Sequence, residues 1–214
     1  MVKLEMREVG KKELIVFSTK KLILERGYEN ISVEDITNDA GIAKGSFYTY
    51  FKSKNLVIDY ILEDLTLKLK REFSIDKRMS LSNSIKKIVK ERIILDKEKI
   101  KDNLVAINLY RNSSLLDRKT LNLLKEVESL LIKEIEDIIT FYYKNINIGV
   151  DNIKFYSKMI SKIITNYKIF TLFFSEEENN FIKDVEEVKK KYLTKDIEEN
   201  IEMISESILK ILTY

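Results

Sequence analysis

A chain of 214 residues with no proline and only five glycines contains little that would stop an α-helix. Average usage would place about ten prolines in this length. Leu, Lys and Glu, all good helix formers, are abundant. The chain is therefore expected to be all-α, a series of amphipathic helices joined by brief polar turns. Cysteine and histidine are absent as well. That excludes disulfides, zinc–thiolate sites, thiol nucleophiles and Ser-His-Asp catalysis, and it removes the commonest metal ligand. No cofactor and no metal is expected. Carboxylate pairs such as Glu134–Asp137 and Glu176–Glu178 sit on charged stretches and read as solvated faces, so no catalytic set emerges.

Apolar residues make up 44% and charged residues 34%, a balance that suits a folded chain. No apolar run approaches the ~18–20 residues needed to cross a bilayer. The opening MVKLEMREVGKKEL is charged throughout and lacks the apolar stretch of a signal peptide, so a cytoplasmic protein without membrane contact is expected. A net charge of +3 identifies no partner, but charge is informative locally: Lys44 to Lys54 holds three lysines and no acid.

Three of the five glycines, Gly27, Gly41 and Gly45, fall within nineteen residues and mark short helices with tight turns. A first helix is expected from Lys11 to Arg26, ended by Gly27 as a left-handed C′ residue. Ser32-Val33-Glu34-Asp35 reads as a capping box opening a second helix that stops at Ala40-Gly41. A third runs from about Lys44 to Tyr50. Ser53 caps a longer fourth, through roughly Phe73. Beyond Ile75 the texture changes to long amphipathic stretches with polar breaks at Ser80–Ser84, Lys97–Lys99, Asn112–Asp117, Asn145–Asp151 and Ser175–Asn180. Five or six helices follow. The expected domains are residues 1–55, with the helix at about 53–73 connecting, and residues 75–214.

On a helix of ~100° per residue, Phe47 and Phe51 share a face that can pack on the first two helices. Gly45, Ser46, Thr49 and Tyr50 point the other way, flanked by Lys44 and Tyr48. An outward face of small and polar residues is what a helix needs to enter a DNA major groove. Gly45 allows close backbone approach, Ser46 and Thr49 can reach base edges, and the flanking Lys and Tyr can bind phosphates. Lys54, at a helix start, suits a phosphate too.

The stretch SVEDITNDAGIAKGSFYTYFKSKNL, Ser32 to Leu56, resembles the TetR family of bacterial transcriptional regulators. Ser32, Ile36, Ala40-Gly41-Ile42, Lys44-Gly45, Tyr48, Phe51, Lys54 and Leu56 follow that family's order and spacing. Glu25-Arg26-Gly27-Tyr28 matches its end of helix one. The likeness covers about residues 11 to 60. It implies Tyr48 and Lys54 as backbone clamps and Ser32 as a phosphate contact. Two positions depart from the pattern: Ala43 stands where a capping Ser or Thr is frequent, and Asn55 replaces a frequent Glu.

The resemblance also implies a homodimer on a palindromic DNA operator, released by a small-molecule effector of apolar or amphipathic character. Two apolar seams at helical spacing are the candidates for dimerisation. One comprises Ile153, Tyr156, Ile160, Ile163 and Phe174, the other Ile197, Ile201, Ile204, Ile208 and Ile211. Both could instead pack within one chain. Asn108, Tyr110, Phe141, Tyr142, Tyr143, Tyr167 and Phe170 could line an effector pocket, or could be plain core. The lack of histidine argues against a His-held magnesium–drug complex. Competing readings are a DNA-bound protein governed by a protein partner, a helical enzyme that merely contains a helix-turn-helix, and an activator rather than a repressor.

Overall fold

The computed structural model describes residues 10–72, 74–175, 178, 180–193 and 196–214. Phe73, at the expected end of the fourth helix, and Glu176 lie outside the described residues. Ten α-helices are present among them: α1 Lys11–Arg26, α2 Val33–Asp39, α3 Lys44–Tyr50, α4 Lys54–Glu72, α5 Leu81–Ile93, α6 Lys97–Arg111, α7 Arg118–Phe141, α8 Ile153–Tyr167, α9 Val185–Tyr192 and α10 Asp196–Thr213. A π-helical segment, Lys168–Leu172, prolongs α8. Among the described residues, the one strand pairing is a minimal antiparallel pair, β1 Phe174–Ser175 with β2 Asn180–Phe181. It occupies a stretch expected to be a plain break. Among the described residues, no helix is long and apolar enough to cross a membrane.

Packing divides the chain into two units. The first takes the described part of Met1–Leu65 together with Asp102–Lys125; the second takes Thr66–Lys101 and Glu126–Tyr214. The first therefore draws on α1–α4 and also on stretches of α6 and α7. Its core gathers Ile15, Leu22 and Ile23 of α1, Ile36 of α2, Phe47, and Val57, Ile58 and Leu62 of α4, closed by Val105, Leu109, Leu116 and Leu124. Lys20 of α1 and Asp102 of α6 form a buried ion pair within this unit.

Local chemistry explains the helix ends. At Ser32 the capping box is complete: the Asp35 N–H donates to Ser32 Oγ at 3.1 Å and the Ser32 N–H donates to Asp35 Oδ2 at 2.8 Å. The end of α2 is a Schellman motif. Gly41 takes φ +65°, its N–H reaches the Asn38 carbonyl at 3.2 Å, and the Ile42 N–H reaches that of Thr37 at 3.0 Å. Gly27 also ends its helix, but not as a left-handed C′ residue: φ 84° with ψ 153° is a region open essentially to glycine alone. The break expected at Lys97–Lys99 falls earlier. Asp96 caps α6 by accepting the Lys99 N–H at 2.9 Å, so Lys97–Lys99 form the first helical turn.

In the second unit α5 packs against both α8 and α10. Ile85, Ile88 and Ile93 of α5 meet Ile160 and Ile164 of α8 and Ile201 and Ile208 of α10 in one core. Glu134 is not on a solvated face as expected. It is buried and pairs with Arg92. Glu178 is exposed.

Candidate nucleic-acid interface

Helix α3 is held by its aromatic side. Phe47 is fully buried and Phe51 nearly so, with ring centroids 6.2 Å apart, and Phe51 meets Tyr60 edge-on at 5.7 Å. Burying one such ring contributes about 2–3 kcal/mol, enough to fix which face of a seven-residue helix looks outward. The opposite face is open. Lys44, Gly45 and Thr49 are exposed and Ser46 is half-buried. Tyr48 and Tyr50 keep 41% and 45% of their surface, so the first two helices do not cover either ring. A Cβ placed on Gly45 would meet nothing within 4 Å. The absence of a side chain there serves no packing need of this chain.

The polar groups of this face are only lightly committed. Thr49 Oγ1 donates to the Gly45 carbonyl at 3.2 Å, which leaves its lone pairs outward. Lys44 Nζ lies 3.9 Å from Glu34 in an exposed, loose pair. Ala43 precedes the helix without a side-chain cap, so the first N–H groups of α3 gain no partner from it. Lys52, which the sequence pattern did not single out, lays its ammonium 3.3 Å from the Tyr48 carbonyl and adds a cation beside the same face.

Two expected phosphate contacts are engaged within the protein. Ser32 donates its hydroxyl proton to Asp35 Oδ2 at 2.5 Å, so it has no second proton for a phosphate while that bond stands. This bond, with that from the Ser32 N–H, holds the Asp35 carboxyl below its ordinary range. Lys54 donates to the carbonyls of Tyr28 and Ile31, each at 2.8 Å, and its ammonium lies 4.2 Å from the Tyr28 ring centroid. Burial there lowers its pKa. One of its three N–H bonds remains for an outside acceptor.

Asn55, the departure from the family pattern, has a use of its own. It accepts the Tyr28 hydroxyl at 2.6 Å and donates to Asp117 at 3.2 Å. Asn108 accepts the Tyr28 backbone N–H at 3.2 Å. Its amide oxygen thus anchors the turn after α1 rather than an effector.

The other expected pocket residues differ in their surroundings. Tyr110 belongs with Asn108 to the first unit and is 60% exposed. In the second unit Tyr142 is core, with its hydroxyl 2.5 Å from the Met79 carbonyl and 3.0 Å from Ser84 Oγ, and Tyr167 packs against that core. Phe141, Tyr143 and Phe170 are exposed.

The expected dimerisation seams are largely internal. Ile160, Ile197, Ile201 and Ile208 are buried in their own chain, and Ile153, Tyr156 and Ile204 pack partly against the same core. Ile163, Phe174 and Ile211 keep part of their surface. The apolar side chains left outward on these two helices are Phe155 and Met203, each 64% exposed.

Residues 15–61 match the family described as bacterial regulatory proteins, tetR family. The chain carries the TetR-family DNA-binding domain. The uncharacterized HTH-type transcriptional regulator YvdT of Bacillus subtilis (strain 168) is 45% identical over 56 residues, 26% of this chain and 29% of that protein. The HTH-type transcriptional repressor DhaR of Mycobacterium sp. (strain GP1) is 41% identical over 54 residues, 25% of this chain and 27% of its own. The match thus spans less than a third of either relative. Likeness over most of the chain is seen in the fold. A transcriptional regulator from Rhodococcus sp. Rha1 superposes with a TM-score of 0.65 at 11% identity, covering 96% of this chain and 99% of that one. SmeT in complex with triclosan gives 0.64 at 16% identity, covering 95% and 92%.

Proposed function

We propose that this protein is a ligand-responsive transcriptional repressor that binds a palindromic operator as a homodimer and leaves it when a small effector binds the second unit. The open face of α3 carries the reading: Gly45 unhindered, Ser46, Thr49 and Tyr50 outward, and three lysines with no acid from Lys44 to Lys54. Lys44, Lys52, Tyr48 and the spare N–H of Lys54 suit phosphates, while Ser46, Thr49 and Tyr50 suit base edges. Ser32 would take part through its helix-capping position rather than its hydroxyl. DhaR, 41% identical over 54 residues, is named a repressor.

Dimerisation falls on the outward stripes of α8 and α10. Phe155, Met159 and Ile163 on one helix and Met203, Ser207 and Ile211 on the other lie at helical spacing and are not buried by their own chain. Helix α8 carries Lys154, Lys158 and Lys162 without a carboxylate, whereas α10 carries Asp196, Glu198, Glu199, Glu202 and Glu206 with Lys210 as its lone cation. Lys162 is paired with Glu128, and Glu198 and Glu202 with Lys90 and Lys86, so Lys154 and Lys158 of one copy and Glu199 and Glu206 of the other would supply the steering charge. Two copies place their recognition helices one DNA turn apart, ~34 Å. The effector would act by population shift, binding better to a conformation whose recognition helices are misspaced for adjacent grooves. SmeT, of the same fold, holds triclosan.

The experiment is a gel shift with DNA flanking the protein's own gene across a salt series. Tight binding that weakens steeply with salt is expected. Absence of salt-sensitive binding to that DNA would refute the reading.

A further inference from the structure

Helix α3, KGSFYTY, contains no Arg, Asn or Gln. Those are the side chains that most often read guanine or adenine through paired hydrogen bonds. Lys44 is its one cation and stands at the first position, already loosely paired with Glu34. Ser46 is half-buried. The middle of the exposed face is therefore poor in groups that could recognise a base by bidentate hydrogen bonding, and its chemistry has to be sought elsewhere.

The Thr49 hydroxyl is turned along the helix and donates to the Gly45 carbonyl at 3.2 Å. With the oxygen held this way, the Cγ2 methyl takes the other staggered well that avoids the preceding turn, and on an exposed residue that well faces outward. Helical side chains lean toward the N-terminus, which brings this methyl over the turn containing Gly45. Gly45 is exposed, and a Cβ on it would meet nothing within 4 Å. On the other flank is Tyr48, three residues on from Gly45, its ring set edge-on to buried Phe47 at 5.5 Å. Neighbours at these spacings stand about 5–6 Å apart on a helix. Gly45 is thus the floor of a shallow notch with one aliphatic and one aromatic wall, open to solvent and of a size for a methyl group.

The edges of base pairs offer the major groove donors and acceptors, with one apolar exception, the C5-methyl of thymine. A donor or acceptor pressed against these walls would lose its water and gain no partner; a methyl group loses nothing. We propose that the notch over Gly45, walled by the Thr49 methyl and the Tyr48 ring, takes the C5-methyl of one thymine in each operator half-site. Thr49 then reads sequence through its methyl rather than its hydroxyl, and the Tyr48 hydroxyl keeps its phosphate. This inference rests on α3 being the element that enters the groove.

The test uses the full chain and the duplex it protects in the DNA flanking its own gene. Each thymine of a half-site, with its symmetry mate, is replaced in turn by deoxyuridine, which removes the methyl and leaves every hydrogen-bonding group in place. Affinity is read by fluorescence anisotropy at fixed salt. One position is expected to weaken binding about three- to fivefold per half-site, and about tenfold or more when both half-sites are changed. Thr49→Ser, which keeps the hydroxyl and removes the methyl, should bind the thymine duplex more weakly and lose most of the discrimination between thymine and uracil at that position. Thr49→Val, which keeps a methyl there and removes the hydroxyl, should retain it. Both variants alter an exposed side chain, and an unchanged thermal midpoint within a few degrees checks that they fold. Binding indifferent to uracil at every thymine would overturn the inference while leaving α3 as the reading element. Undiminished discrimination by Thr49→Ser, or its loss in Thr49→Val, would overturn the role of the methyl. Absence of binding to any such duplex would overturn this inference and the proposed function together.

Discussion

Replacing Gly45 by Ala should make the protein more stable and worse at its task. Gly45 occupies the second position of α3, its φ is not positive, and a Cβ there meets nothing within 4 Å. Alanine in a helix is favoured over glycine by about 0.5–1 kcal/mol, mainly through the unfolded chain's lost freedom. For a chain of this length that corresponds to roughly 1–4 °C in the unfolding midpoint. The same methyl projects from the face offered to DNA, where it would hold the helix back from the groove and forfeit contacts worth about 1–3 kcal/mol, roughly ten- to a hundredfold in affinity. Thermal unfolding of the free protein and fluorescence anisotropy with operator DNA, on the same preparations, measure the two effects. A destabilised Gly45→Ala would refute the claim that the space above Gly45 is empty. Unchanged operator affinity would refute the claim that this space belongs to DNA.

Three further outcomes are expected. Phe155→Asp and Met203→Asp should leave the helical content intact and sediment as monomers where the parent is expected to sediment as the proposed dimer; an unchanged dimer would place the interface elsewhere. Asn55→Ala removes the bridge from Tyr28 to Asp117 and should cost about 1–2 kcal/mol in urea unfolding; no measurable change would mean the bridge is idle. Asp35 has its folded pKa depressed by Ser32, so its stabilising effect is present above the ordinary carboxylate pKa and is lost as pH falls through the folded value. The stability gap between the parent and Asp35→Asn should therefore close on acidification, and a gap independent of pH would contradict the capping role.

The features legible from sequence were those governed by a few neighbouring residues. Ser32 with Asp35, Gly41 and the spacing of Phe47 and Phe51 each carry local chemistry that admits one arrangement. Choices between two apolar faces were not legible. Ile160, Ile201 and Ile208 have the spacing of a dimer seam, yet they face inward because α5 packs against both of their helices, and nothing in the periodicity of α8 or α10 announces α5. Phe155 and Met203, one stripe over, face outward for the same reason. Polar residues with distant partners were equally opaque. Asn108 serves Tyr28 across 80 positions and Glu134 serves Arg92 across 42. Lys54 keeps its place in the pattern, but two of its bonds turn inward to carbonyls that only the folded turn brings near.

Amide NMR of the protein titrated with operator DNA tests most directly whether α3 is the reading element. Shifts concentrated at Gly45, Ser46, Thr49 and Tyr50, and weaker or differently patterned with a scrambled duplex, are the predicted result. A spectrum in which operator binding leaves those four amides unmoved while perturbing another surface would contradict it.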